Sequence, residues 1–236
     1  MEVEKAIKDR RSVRKYDDKD VDNALIMECL DAGRYAPSSG NLQNWRFVIV
    51  KNKELKEKIV KLCNRQYWAL NAPALIIICA ELKRAKRMYG SKGEELYSVQ
   101  NCAAATENIM LRAQELGLCT GWIGAFDENA VGEEIRVEEG NRVVTILALG
   151  YGKSFSVLRR EPLENFVFFE QFGNKDRDLR NIPLEKAAKQ NIGRVKDLME
   201  RFKRKREEKK KKKEESKEVE KSLEEKTKIL EEVKEK

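Results

Sequence analysis

No histidine occurs in the 236-residue chain. Its absence removes the commonest general base and metal ligand, and with it hydrolysis by a Ser/His or Cys/His arrangement. Cysteine is sparse: Cys29, Cys63, Cys79, Cys102 and Cys119. The number is odd and no two form a CxxC pair, which argues against a zinc ribbon, a disulfide framework and a thioredoxin-type motif. Each lies in an apolar pattern and reads as a buried structural thiol. No metal site is expected. No window reaches the length of apolar run that a membrane-spanning helix needs. The start, Met1 to Lys5, is charged and lacks the apolar core of a signal peptide, so a cytoplasmic protein is expected. There is no GxGxxG after a strand and no GxxxxGK[ST], so neither a Rossmann dinucleotide site nor a P-loop is indicated.

Charge is abundant instead. Charged residues make up 38% of the chain and the net charge is +8, against a usual charged share of about a quarter. Much of the excess lies in the C-terminal extension. A basic balance permits phosphate-bearing ligands, nucleic acid or anionic membrane as partners and chooses none of them.

Helical patterns are expected over residues 2–9, from Asp20-Val21 to about Gly33, over 53–64, over 98–116 and from Asp127 to about Ile135. The 98–116 helix carries two adjacent apolar stripes with many small residues, which marks a core helix or one in a subunit interface. Gly117 closes it. Buried strands are expected at 45–50, 74–80 and 142–150, and an edge strand at 166–169. Residues 81–95 form a charged surface excursion. Strands alternating with helices indicate a sheet covered on both faces in an α/β or α+β layered domain.

Three stretches carry chemistry. Arg10, Arg11, Ser12 and Arg14 offer forked donors and a hydroxyl that suit phosphate oxygens, although such a run also serves as a solvated turn. Pro37, Ser38, Ser39, Gly40 and Asn41 form a turn-rich loop that can wrap a polar, planar ligand, or merely connect two elements. Gly121 and Gly124 flank Trp122-Ile123, so backbone there can approach a ligand closely.

In order along the chain, RRSVRKY, APSSGNLQNWRF, the small-residue helix ending in ELGL, GWIGAFDE, LALGYG and RREPLE resemble the FMN-dependent nitroreductase family over roughly residues 3–170. The resemblance implies an α+β fold with a mixed sheet flanked by helices, assembled as an intertwined homodimer with FMN at the subunit interface. It further implies that Arg10, Arg11, Ser12 and Arg14 bind FMN, with Arg14 near the pyrimidine edge. Pro37, Ser38, Ser39 and Asn41 reach it from the other subunit. Ile123, Gly124 and Ala125 lie beside the ring, Arg159 and Arg160 at the phosphate, and Gln66 at the flavin edge. NAD(P)H would be the electron donor and a small nitro or quinone-like compound the acceptor, in a ping-pong cycle with no side chain required as acid or base. The same fold also supports reductive dehalogenation or oxidation of a small molecule. A flavin-holding interaction module working through its tail is the reading from a different class.

Two positions depart from the family pattern: Asn44 stands where the loop often has Pro, and Asn101 where many relatives have Asp. Residues 1–183 are expected to form the flavin-binding domain. Residues 184–236 form a Lys/Glu-rich tail of helix-forming composition, with apolar positions at Ile192, Val195, Met199 and Phe202 and a lysine run over 209–213. A solvated, partly helical or disordered tail, contact with nucleic acid or membrane, and coiled-coil association all remain open for it.

Overall fold

The computed structural model describes residues 2–152 and 159–175. The expected tail, with its coiled-coil and basic-run readings, lies outside the described residues. The chain divides into two units, Met1–Leu158 and Arg159–Lys236.

In the first unit the elements run α1 (Val3–Asp9), α2 (Asn23–Arg34), β1 (Trp45–Val50), α3 (Lys53–Lys61), β2 (Ala74–Glu81), α4 (Lys83–Lys92), α5 (Ser98–Glu115), β3 (Cys119–Ile123), α6 (Glu128–Glu134) and β4 (Asn141–Gly150). The strands form one sheet in the order β1-β2-β4-β3. All three ladders are antiparallel. Among the described residues the expected mixed character is limited to an isolated parallel bridge, Ser12 to Thr120.

The central strands β2 and β4 are apolar on both sides because both faces are covered. Ile76, Ile78, Leu147 and Leu149 pack on one face with Ile26, Cys29, Ile109 and Met110 from α2 and α5. Leu75, Ile77, Ile146 and Ala148 pack on the other with Ile59, Val60 and Val131 from α3 and α6. Helix α5 is buried along most of its length, as its two stripes require. It ends in a double hydrogen bond, Gly117 N–H to Gln114 O and Leu118 N–H to Ala113 O, with Gly117 at φ 76°.

Several expectations are corrected. Helix α2 starts at Asn23, not at Asp20-Val21: the Asp22 carboxylate accepts from Ala24 N–H at 2.9 Å, while Asp20 pairs with Lys51 Nζ at 2.9 Å. Helix α3 ends at Lys61, short of Asn64. Among the described residues β1, expected as a buried strand, is an edge, with Arg46 and Ile49 exposed. Cys119–Ile123 is a strand that sequence periodicity does not reveal, because Thr120 and Gly121 dilute a five-residue run. In the second unit residues 166–169 are no strand: after a 3₁₀ turn at Leu163–Asn165 the backbone doubles back, with Phe169 N–H donating to Asn174 O at 3.0 Å.

The cysteines behave as expected. Four are buried and none is bridged. Burial pushes the Cys29 and Cys102 thiols up to about 12 and those of Cys63 and Cys79 up to about 11. A raised thiol pKa keeps thiolate scarce at neutral pH, so the native chain should resist iodoacetamide at these four positions at about pH 8 and react once unfolded. Peptide mapping checks this. Among the described residues no cluster that could hold a metal is present, and no helix is long and apolar enough to cross a membrane.

Gly121 is a close approach between the β3 edge and its neighbours. A Cβ there would lie 2.6 Å from the Val13 carbonyl and 2.6 Å from the Trp68 ring. Gly121→Ala should cost about 1–3 kcal/mol, seen as a lower urea midpoint at unchanged slope. An unchanged midpoint would show that the strand edge tolerates the methyl.

Candidate functional site

After α1 the chain runs alongside β3. Val13 N–H donates to Thr120 O at 2.9 Å, Ser12 bridges to Thr120, and Tyr16 bridges to Gly152. Tyr16 anchors the segment: its buried hydroxyl lies 3.1 Å from Val13 O and 3.2 Å from Ala148 O, and desolvation raises its pKa. With Val13 and Tyr16 turned inward, Ser12 and Arg14 are left exposed.

Arg14 lies over the Trp68 ring, 5.9 Å from its centroid. Gln66, two residues before Trp68, donates from its amide to Ala125 O at 2.9 Å. The N-terminal segment, the 66–68 stretch and the end of β3 thus meet in one cluster. Gly124 and Ala125 are exposed, and a Cβ at Gly124 would meet only the Trp122 indole, at 3.4 Å and beyond. The Ile123 side chain is buried in the core. Its share in any site is therefore limited to its backbone, and its carbonyl already accepts from Thr145 Oγ1 at 3.1 Å.

The cluster is cationic. Among the described residues no carboxylate pairs with Arg11 or Arg14. Arg11 donates to the Lys8 and Arg10 carbonyls at 2.5 and 2.7 Å, which fixes its guanidinium beside α1. Arg10 Nε stands 3.3 Å from Glu107 of α5, yet this buried nitrogen makes no hydrogen bond.

The 37–44 loop forms a second cluster. Gly40, Asn41 and Gln43 have φ of 54°, 55° and 48°, an unusual concentration of left-handed backbone. Ser38 Oγ holds it by accepting from Gln43 N–H at 3.0 Å. Asn101 of α5 holds it from below: its Oδ1 accepts from Ser39 N–H at 3.0 Å and from Ser39 Oγ at 3.2 Å. Asn101 Nδ2 donates to Asn44 Oδ1 at 2.8 Å, and Asn44 Nδ2 donates to Glu81 O at 2.9 Å and Ser98 Oγ at 3.1 Å. The two departures from the family pattern therefore touch each other. Both amides are buried with their hydrogen-bonding groups satisfied. A Pro at 44 would supply no partner for Asn101.

The clusters face α5 at Glu107 and at Asn101, six residues apart and so about 9 Å along the helix. Among the described residues no hydrogen bond or ion pair joins one cluster directly to the other. Pro37 and Asn41 are exposed and Ser38 and Ser39 half-buried, within the loop. Arg159 and Arg160 are exposed residues of the second unit. Sequence reasoning missed Trp68, whose only signal was its position beside Gln66. It noted Asn44 and Asn101 but gave them no role.

Fold and clusters together define a layered α+β protein with a cationic strip along one sheet edge and a preformed polar loop near the other end of α5. The model of the nitroreductase family matches residues 7–71 and 60–151, and the chain belongs to that family. It is 35% identical over 153 residues to an Archaeoglobus fulgidus protein named as a candidate NADH dehydrogenase/NAD(P)H nitroreductase, covering 63% of this chain and 84% of that one. It is 31% identical over 128 residues to the FMN reductase [NAD(P)H] of Bacillus subtilis, covering 54% of this chain and half of that one. A nitroreductase family protein from Clostridium difficile superposes with a TM-score of 0.63 at 29% identity, over 72% of this chain and 99% of that one. The NADPH:FMN oxidoreductase of Vibrio harveyi shares the fold, with a TM-score of 0.67 at 21% identity over 74% of this chain and 79% of that one.

Asn101→Leu should strand the Ser39 N–H and the Asn44 amide, costing about 2–4 kcal/mol. Urea unfolding checks the loss, and hydrogen exchange at the Ser39 amide should accelerate in step. Wild-type exchange at Ser39 in the variant would contradict this account of the loop.

Proposed function

We propose that the chain is a flavoprotein oxidoreductase that binds FMN and uses NAD(P)H as electron donor to reduce a small organic acceptor, a nitro or quinone-like compound. The observation that carries the reading is the cationic cluster: Arg14, with no carboxylate partner among the described residues, lies over Trp68 on the same sheet edge as the open Gly124-Ala125 backbone, and Arg11, also without a carboxylate partner there, stands at the end of α1 just before it. The residues present fit FMN. Guanidiniums at Arg11 and Arg14 without a carboxylate partner among the described residues, beside the exposed Ser12 hydroxyl, suit a phosphate, and the exposed backbone at Gly124, where a Cβ would touch only the Trp122 indole, suits a planar ring. The names of the Bacillus subtilis and Archaeoglobus fulgidus relatives support the same cofactor and donor.

When bound, FMN would supply the two-electron redox chemistry between NAD(P)H and a small acceptor, in a ping-pong scheme. Arg10, Arg11 and Ser12 bind the phosphate. Arg14, held over Trp68, places a cation at the pyrimidine edge, where it favours negative charge on the reduced ring. Gln66 orients the Ala125 peptide by bonding its carbonyl, which leaves the backbone N–H groups of this exposed segment to donate to the ring.

Pro37, Ser38, Ser39 and Asn41 complete the site from a second subunit, so the working form is a homodimer. Membership of the nitroreductase family supports this. In this reading residues 1–183 bind the flavin, and 184–236 are an appendage whose role is separate.

The purified chain should be yellow and bleach on anaerobic addition of NADH or NADPH. Arg11→Ala/Arg14→Ala should weaken FMN binding at least about ten-fold, the order expected from charge-assisted hydrogen bonds. A colourless protein that takes up no added FMN would remove this reading.

A further inference from the structure

Helix α4 carries Lys83, Arg84, Lys86, Arg87 and Lys92 and no acidic residue. Lys86 is engaged, with its Nζ 2.8 Å from Glu94. Arg84 and Arg87 are exposed and have no carboxylate partner among the described residues. Three residues apart, they share one face of the helix. Both line a cavity of about 290 Å³, together with Leu42 and Met88.

This cavity abuts the polar loop. Leu42 follows the Ser39–Asn41 turn and is buried. A methyl on Gly40 would collide with the Tyr89 hydroxyl and come within 3.2 Å of Met88 Sδ, so α4 rests directly on that turn.

Helix α4 is also braced against the leg that follows it. Gly93 lies so close to the Ala85 carbonyl that a Cβ has no room. The Tyr89 and Tyr97 rings meet edge-on, 5.3 Å apart at 81°. The Lys86–Glu94 pair closes the same gap. The buried Asn44 amide, bonded to Glu81 O and Ser98 Oγ, ties down both ends of the excursion. The two guanidiniums are therefore presented on a fixed support beside the turn.

Two free guanidinium forks recognise carboxylate or phosphate, while Leu42 and the Met88 thioether offer an apolar wall to a flat organic body. A volume near 290 Å³ is at the small end of ligand pockets and suits part of a substrate, not a whole dinucleotide.

We infer that Arg84 and Arg87 form a substrate subsite beside the Ser39–Asn41 turn that receives the anionic group of a substrate. That group is the 2′-phosphate that distinguishes NADPH from NADH, or a carboxylate on the acceptor. The inference rests on the flavoenzyme reading for what counts as substrate. It does not rest on it for the anion site itself.

The test is calorimetric titration of the full FMN-loaded chain with one ligand at a time, so that no turnover occurs: NADP⁺, NAD⁺, 4-nitrobenzoate and nitrobenzene. The wild type should bind the more anionic member of at least one pair about ten-fold more tightly. A preference for NADP⁺ over NAD⁺ assigns the subsite to the donor phosphate. A preference for 4-nitrobenzoate over nitrobenzene assigns it to an acceptor carboxylate. Arg84→Ala/Arg87→Ala should abolish the preference, and Arg84→Lys/Arg87→Lys should keep part of it, with the flavin spectrum and melting temperature reporting that both variants are folded. No preference in either pair, or one that survives the double alanine variant, overturns the inference. A chain that holds no FMN fails the flavoenzyme reading instead, and the paired affinities can still be measured on it.

Discussion

Val13 N–H donates to the Thr120 carbonyl at 2.9 Å, and the arrangement of the cationic cluster follows from that one bond. It lays the N-terminal segment along the free edge of β3, and Tyr16 locks the segment two hydrogen-bond steps further on. Alternation along an extended chain then sends Val13 inward and Ser12 and Arg14 outward. The bond forms only because Gly121 has no side chain to hold the segment and Trp68 away. A backbone contact between residues 107 positions apart in sequence thus decides which way the guanidiniums point.

The second dependency is the amide pair in α5 and its neighbour loop. Asn101 and Asn44 carry no charge and are buried, so each unmet hydrogen-bonding group would be costly, and all of them are met. Through Ser39 on one side and Glu81 and Ser98 on the other, the pair fastens the polar loop and the α4 excursion to the same core helix. The 37–44 loop and helix α4 are therefore set by one shared support. A change in either Asn should be felt at both.

Much of the fold was legible along the chain. The apolar runs of β2 and β4 announced strands covered on both faces, and the two stripes of α5 announced a core helix, because burial leaves a periodic trace. Gly117 and Asp127 marked helix ends by local chemistry alone. What failed was set by tertiary partners. β3 is short and carries Thr120 and Gly121, so its identity comes from pairing with β4 and not from its own composition. β1 reads as buried because its residues are apolar, yet nothing among the described residues pairs with its outer edge. Residues 166–169 have strand composition but pair with no strand among the described residues. For the site, motif order picked out the cationic segment, the loop and the glycine-flanked turn. It did not show that Ile123 turns into the core, or that Trp68 underlies Arg14. Nor did it show that Asn44 and Asn101, 57 residues apart, meet at 2.8 Å.

The central claim is that one flavin site takes its cationic half from one subunit and its polar loop from another. Subunit complementation tests this most directly. A chain carrying Arg11→Ala/Arg14→Ala and a chain carrying Ser39→Ala/Asn41→Ala should each retain little FMN alone. Co-refolded in equal amounts they should recover about a quarter of the wild-type FMN, because random pairing makes half the dimers mixed and each mixed dimer has one intact site. Recovery no greater than that of either variant alone would contradict a shared site and place both halves within a single chain.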